Sequence, residues 1–186
     1  MTKSGLVRIC QGQIPFEPNP VIRIHSKSEI IIIGHSPGIK VHRSSIPWND
    51  RSGDNLRKWM GLDTQEFYNV EKVSIVPIGF CYPGKGKSGD LPPMKICAPT
   101  WYKRILTDLL NLRLTHLIGQ YAQRYYLGKN VRKNLTETVT NYEVYLPDYF
   151  VLPHPSPRNI GWMQRNPWFE KHLVPKLKIK VKEAQG

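Results

Sequence analysis

The chain has 186 residues, and its 27 Lys and Arg against 14 Asp and Glu give a formal net charge of +13 at pH 7. Its 40% hydrophobic content excludes a disordered tail, no apolar run approaches the roughly 18 residues of a membrane span, and three cysteines exclude a disulfide scaffold. What remains is one globular domain over residues 1–186, expected to be intracellular and cytoplasmic without a signal peptide, with a surplus charge suited to a polyanion.

Residues 1–28 carry no clear period, and Pro15, Pro18 and Pro20 predict an extended N-terminal arm. Four isoleucines at 30–33, closed by Gly34, predict a strand buried on both faces. A helix is expected over 52–60, with Ser52 as its cap, Leu56, Trp59 and Met60 on its apolar side and Gly61 as its stop. A second strand is expected over 73–78. A helix follows over 99–112 with the stripe Ile105, Leu106, Leu109 and Leu110. A third strand is expected over 114–119 and a helix over 120–127, stopped by Gly128. Asn134 suits the cap of a helix from Leu135, 149–152 a fourth strand, and 168–181 a final helix.

Strands alternating with helices predict a three-layer α/β/α fold around a central, mainly parallel four-stranded sheet. Ligands of such sheets sit at the carboxyl ends of the strands. The loops 34–50, 79–93 and 153–159 therefore bring His35, Trp48, Asn49, Lys85, Lys87, His154 and Arg158 to one rim.

In the first loop, Gly34 and Gly38 allow a tight turn and close backbone approach to a ligand; His35 there also suits a purely structural hydrogen bond. Trp48, in a polar loop bearing Pro47, suits a stacking platform for a flat ring and equally a plug at the edge of the core. In the last loop, Pro153, Pro155 and Pro157 stiffen a backbone that presents His154, Ser156, Arg158 and Asn159. The segment 84–89 lacks the spacing of a phosphate-binding P-loop. It reads as a basic loop that grips backbone phosphates or is merely solvated. Lys171, Lys176, Lys178, Lys180 and Lys182 in the final helix need not share one face, and suit either long-range attraction or plain solubility.

Together these motifs resemble the uracil-DNA glycosylase superfamily. Gly34-His35-Ser36-Pro37-Gly38 with Ile46-Pro47-Trp48 and Ser52-Gly53-Asp54-Asn55-Leu56 resembles its G-x-x-P-G loop, aromatic stacker and helix. His154-Pro155-Ser156-Pro157 resembles its H-P-S loop, and Phe80-Cys81-Tyr82-Pro83-Gly84 the K-C-R-P-P-G segment of its iron–sulfur branch. The resemblance runs from about Cys10 to the final helix.

It implies a monofunctional DNA glycosylase of base excision repair, acting as a monomer on damaged duplex or single-stranded DNA and away from membranes. Such an enzyme flips a base, for instance a deaminated one, out of the stack and hydrolyses its N-glycosidic bond, leaving an abasic site. Trp48 would stack on the base, His154 would donate to its carbonyl oxygen, and Ser156, Arg158 and Asn159 would contact the backbone. His35 and Ser36 stand where many relatives carry an acidic or amide residue, and would place water or support the sugar's cationic transition state. Pro77 stands where the iron–sulfur branch reads uracil with an Asn, and Asn49 is a candidate base reader or a loop cap. A catalytically inactive DNA- or base-binding module on the same fold is the alternative.

The chemistry needs no cofactor. Cys81 and Cys97 keep the C-x15-C spacing of the iron–sulfur branch and Cys10 suits a first ligand, but Gln13 stands where the fourth cysteine would be. A structural cluster with a substitute ligand and cysteines packed as small hydrophobes are both open.

Overall fold

A computed structural model describes residues 9–186. Four strands form one fully parallel sheet: β1 (Ile30–Ile33), β2 (Val73–Ile75), β5 (Leu114–Ile118) and β6 (Phe150–Leu152), in the order β2-β1-β5-β6. Ile32 is in register with Ile75 on one side and His116 on the other, and Leu117 with Val151. The short strands β3 (Lys85–Gly86) and β4 (Gly89–Asp90) form a separate antiparallel hairpin. The helices are α1 (Ile39–Ser44), α2 (Arg51–Met60), α3 (Thr64–Tyr68), α4 (Cys97–Thr107), α5 (Gly119–Leu127), α6 (Leu135–Thr140), α7 (Ile160–Arg165) and α8 (Val174–Ala184).

The four isoleucines of β1 are fully buried because the central strand has a core on each face. Ile31 and Ile33 pack with Tyr102 and Ile105 of α4 and Ala122 of α5. Ile30 and Ile32 pack with Leu56 and Met60 of α2, Phe67 of α3, and Leu177 and Val181 of α8. Alternation along one strand thus builds the three layers.

Several boundaries differ from expectation. Asp50 caps α2 in place of Ser52, its Oδ1 accepting from the Gly53 N–H at 3.0 Å, so the helix begins one residue early. Helix α4 ends at Thr107, and Leu110, expected on its apolar stripe, is 82% exposed. Regular pairing of β2 ends at Ile75. Val76 and Ile78 still donate to the carbonyls of Ile32 and Gly34, with Pro77, which has no N–H, between them. The final helix opens as a widened π turn, Phe169–Leu173, before α8. Asn134 caps α6 as expected, accepting from the Glu137 N–H at 2.8 Å.

The N-terminal arm is less extended than expected. Residues 9–16 turn on themselves, and Cys10, Ile14 and Val21 are buried. Arg23 forms a single antiparallel bridge to Ile75. Residues 1–8 of the expected arm lie outside the described residues. Among the described residues, no helix is long and apolar enough to cross a membrane.

Candidate active site

From β1 the chain crosses to β2 on one side, and from β5 to β6 on the other. The loops leaving β1 and β5 therefore diverge and open a crevice at the carboxyl edge of the sheet. A cavity of about 490 Å³ lies at this edge, lined from all three predicted loops. Gly34, His35, Ser36, Gly38 and Trp48 line it from the first, Ser88, Gly89 and Asp90 from the second, and His154, Ser156, Arg158 and Asn159 from the third.

Trp48 is seated by the glycines on either side of it. A Cβ on Gly34 would stand 2.8 Å from the indole Cζ2, and a Cβ on Gly53 would collide with the Trp48 carbonyl. Trp48 itself has φ 57°, a left-handed conformation that costs a non-glycine residue about 1 kcal/mol or more. The loop holds it there: the Tyr68 hydroxyl donates to the Pro47 carbonyl at 2.9 Å, and Arg57 donates to the Trp48 carbonyl at 3.4 Å. The Trp48 and His154 rings lie 5.5 Å apart, inclined at 32°.

His154 stands two residues past the end of β6, and its loop is fixed by two amides. Asn159 Nδ2 donates to the His154 carbonyl at 2.8 Å, and Asn55 Nδ2, from α2, to the Pro155 carbonyl at 2.9 Å. The Ser156 N–H donates to His154 Nδ1 at 3.2 Å, so in the neutral ring the proton sits on Nε2. Burial, aided by the neighbouring His35, lowers the His154 pKa to about 4. The side chain is thus a neutral N–H donor at physiological pH.

His35 Nδ1 lies 2.9 Å from Ser36 Oγ, and its ring meets Tyr121 edge-on at 4.9 Å. Burial is the largest influence on it and lowers its pKa, against upward pulls from the Ser36 carbonyl and Asp90. It is therefore also neutral at pH 7.

Not every expected residue reaches the cavity. Asn49 is exposed and not among its lining residues, and its N–H donates to the Ile46 carbonyl. Lys85 and Lys87 are exposed on the hairpin, which meets the third loop where Arg158 Nη1 lies 2.9 Å from the place of a Gly89 Cβ. Lys40 and Arg43 of α1 are exposed as well. None of these four, nor Arg158, forms an ion pair with a described residue.

Sequence reasoning missed Asp50, Asp90 and the end of β5. Gly119, with φ 79°, leaves room beside the His154 ring, where a Cβ would stand 3.4 Å from the histidine Cβ. Asp90 lay within the loop read for its lysines, and its place in the cavity depends on the hairpin.

The cysteines do not fit a four-thiolate cluster. Cys10 and Cys97 are buried in thiol–thiol contact, Sγ to Sγ 3.7 Å, whereas a cluster sets iron and sulfide between its thiolates. Gln13 is exposed, donating to the Ile9 carbonyl. Among the described residues, no group of three or more His, Cys, Asp or Glu could hold a metal ion. Burial, with neighbouring thiols, pushes Cys10 up to about 12 and Cys81 to about 11, so both stay protonated.

The sequence model described as the Uracil DNA glycosylase superfamily matches residues 23–178, from the bridge at Arg23 to the middle of α8. With the parallel sheet and both loop motifs at one cavity, the chain belongs to the uracil-DNA glycosylase superfamily.

Proposed function

We propose that this protein is a monofunctional DNA glycosylase, acting as a monomer, that removes a deaminated base from duplex or single-stranded DNA and leaves an abasic site. The observation that carries the reading is the pairing of Trp48 with a neutral, N–H-donating His154 at one 490 Å³ cavity. The flipped base stacks on the indole. His154 Nε2–H donates to the base carbonyl oxygen, where negative charge grows as the C–N bond breaks, and a fixed donor in a dry site stabilises that charge better than water does. Ser156, Arg158 and Asn159 at the mouth, and the exposed Lys85 and Lys87, contact the backbone. Among the described residues, no lysine lines the cavity, which supports water attack over a Schiff-base mechanism.

The cysteines act as packing groups, with no iron–sulfur cluster. Protein purified without oxygen is expected to lack visible absorption, with its thiols reacting only after denaturation; visible absorption matched by bound iron would overturn this.

Incubation with oligonucleotides bearing uracil, hypoxanthine or xanthine, followed by alkaline cleavage at abasic sites, tests the activity. Strand scission at one or more of these bases is expected. Salt-sensitive DNA binding without scission would favour the inactive module, a reading motivated by the lack of a carboxylate in the first loop.

A further inference from the structure

Resting on that reading, we infer that Asp90, on the hairpin, supplies the carboxylate that the first loop lacks: it receives the proton of the attacking water and faces the cationic sugar. The chemistry calls for such a group. As the glycosidic bond breaks, its electron pair leaves with the base and positive charge grows on the sugar. The water oxygen then bonds to the anomeric carbon and must lose a proton. In the first loop, His35 and Ser36 carry no negative charge to meet either need.

Two acids line the cavity, and their roles differ. Asp50 is engaged at the start of α2, where its Oδ1 accepts from Gly53. Asp90 caps no helix. The hydroxyl of Tyr82, a buried residue, donates to Asp90 Oδ1 at 3.3 Å and anchors the carboxylate. Its Oδ2 turns to the first loop, 3.4 Å from where a Cβ on Gly38 would stand. A Cβ at position 38 would stand in contact with this oxygen. A carboxylate at the mouth of a cavity that takes a polyanion repels phosphate, so its presence needs another use.

The neighbouring groups agree. His35 is close enough to Asp90 to be pulled up by it and close enough to His154 to push it down. Asp90, His35 and His154 all line the one cavity. In the completed step, C–N breaks, the electron pair goes to the base held by His154, and the water oxygen bonds to the sugar. The water proton goes to Asp90 and from there to solvent. Bound DNA closes the mouth, and exclusion of water strengthens the pull of the carboxylate on the sugar cation.

The test is single-turnover excision with the uracil, hypoxanthine and xanthine oligonucleotides, alongside DNA affinity and a thermal melt. Asp90→Ala is expected to lower the excision rate by on the order of 100-fold or more with DNA affinity unchanged or tighter. Added formate, a carboxylate small enough to fill the vacated space, is expected to restore part of the rate. Should Asp90→Ala fold poorly, the isosteric Asp90→Asn makes the same test without rescue. Excision by the unmodified protein with an undiminished rate in either variant overturns the role of Asp90 alone. So does a loss that formate leaves untouched in folded Asp90→Ala. No excision by the unmodified protein on any of these bases overturns the proposed function and this inference together.

Discussion

The indole of Trp48 packs against the bare backbone of Gly34, with no room for a methyl group between them. Nothing in the backbone of Gly34 itself requires glycine, since its φ is not positive. The requirement comes from the ring beyond. Gly34→Ala is therefore expected to displace the indole, lowering excision at least tenfold while shifting the thermal midpoint little. Tryptophan fluorescence and single-turnover rates check it. A wild-type rate would mean that the indole position is not critical.

Trp48 and His154 should separate binding from chemistry. Trp48→Ala removes the stacking surface and is expected to weaken binding to lesion-bearing DNA by about 1–3 kcal/mol. His154→Ala removes a donor needed chiefly as the base departs, and is expected to lower the excision rate by about 100- to 1,000-fold. DNA affinity should change far less. Equal losses of rate and affinity in His154→Ala would argue against a transition-state role.

How much of this was legible beforehand follows from what each residue depends on. The Ile30–Ile33 strand and the loops bearing Trp48 and His154 are encoded locally, by an unbroken apolar run and by prolines and glycines. Leu110 fits a helical stripe by spacing but lies beyond the end of α4, an override no local pattern reports. Asp50 was hidden because Ser52 is an equally good cap by type. Asp90 was hidden for a deeper reason: it reaches the cavity only because Tyr82 is buried and the β3–β4 hairpin folds back beside Gly38.

Acid should destabilise the fold in a defined window. His116, on β5, is fully buried, meets Phe150 edge-on, and has no hydrogen-bond partner on either ring nitrogen among the described residues. Burial lowers its pKa from 6.5 to about 3, and that of His154 to about 4. Above pH 6.5 neither the folded nor the unfolded state binds these protons, and there is no effect. As pH falls below 6.5 the unfolded state takes them up and the folded state does not. Stability then drops by about 1.4 kcal/mol per pH unit for each histidine, until the folded pKa is reached. Urea unfolding between pH 7 and 4 checks this. His116→Leu is expected to shrink the slope and to raise stability at pH 7 by about 1–3 kcal/mol, since two unpartnered nitrogens leave the core. An unchanged slope would falsify the assignment to His116.

The surplus charge should divide into an aimed part and a general part. Lys85 and Lys87 sit on the hairpin that also carries Asp90 into the cavity, exposed and without ion pairs to described residues. Lys178 packs over Gly61, at the far end of α2 from Asp50 and the cavity. The ten residues of α2 put it about 15 Å away along the helix axis. Each phosphate neutralised adds about 0.9 to the slope of log affinity against log salt for duplex DNA, and about 0.7 for a single strand. Lys85→Ala with Lys87→Ala is therefore expected to flatten that slope by about 1.8 on duplex, or about 1.4 on single strands. Excision at saturating DNA should hold, because neither lysine lines the cavity. Lys178→Ala should leave the slope unchanged. A salt titration of binding by the three proteins checks all of this, and equal flattening by Lys178→Ala would show that the +13 acts as one diffuse field rather than through the hairpin.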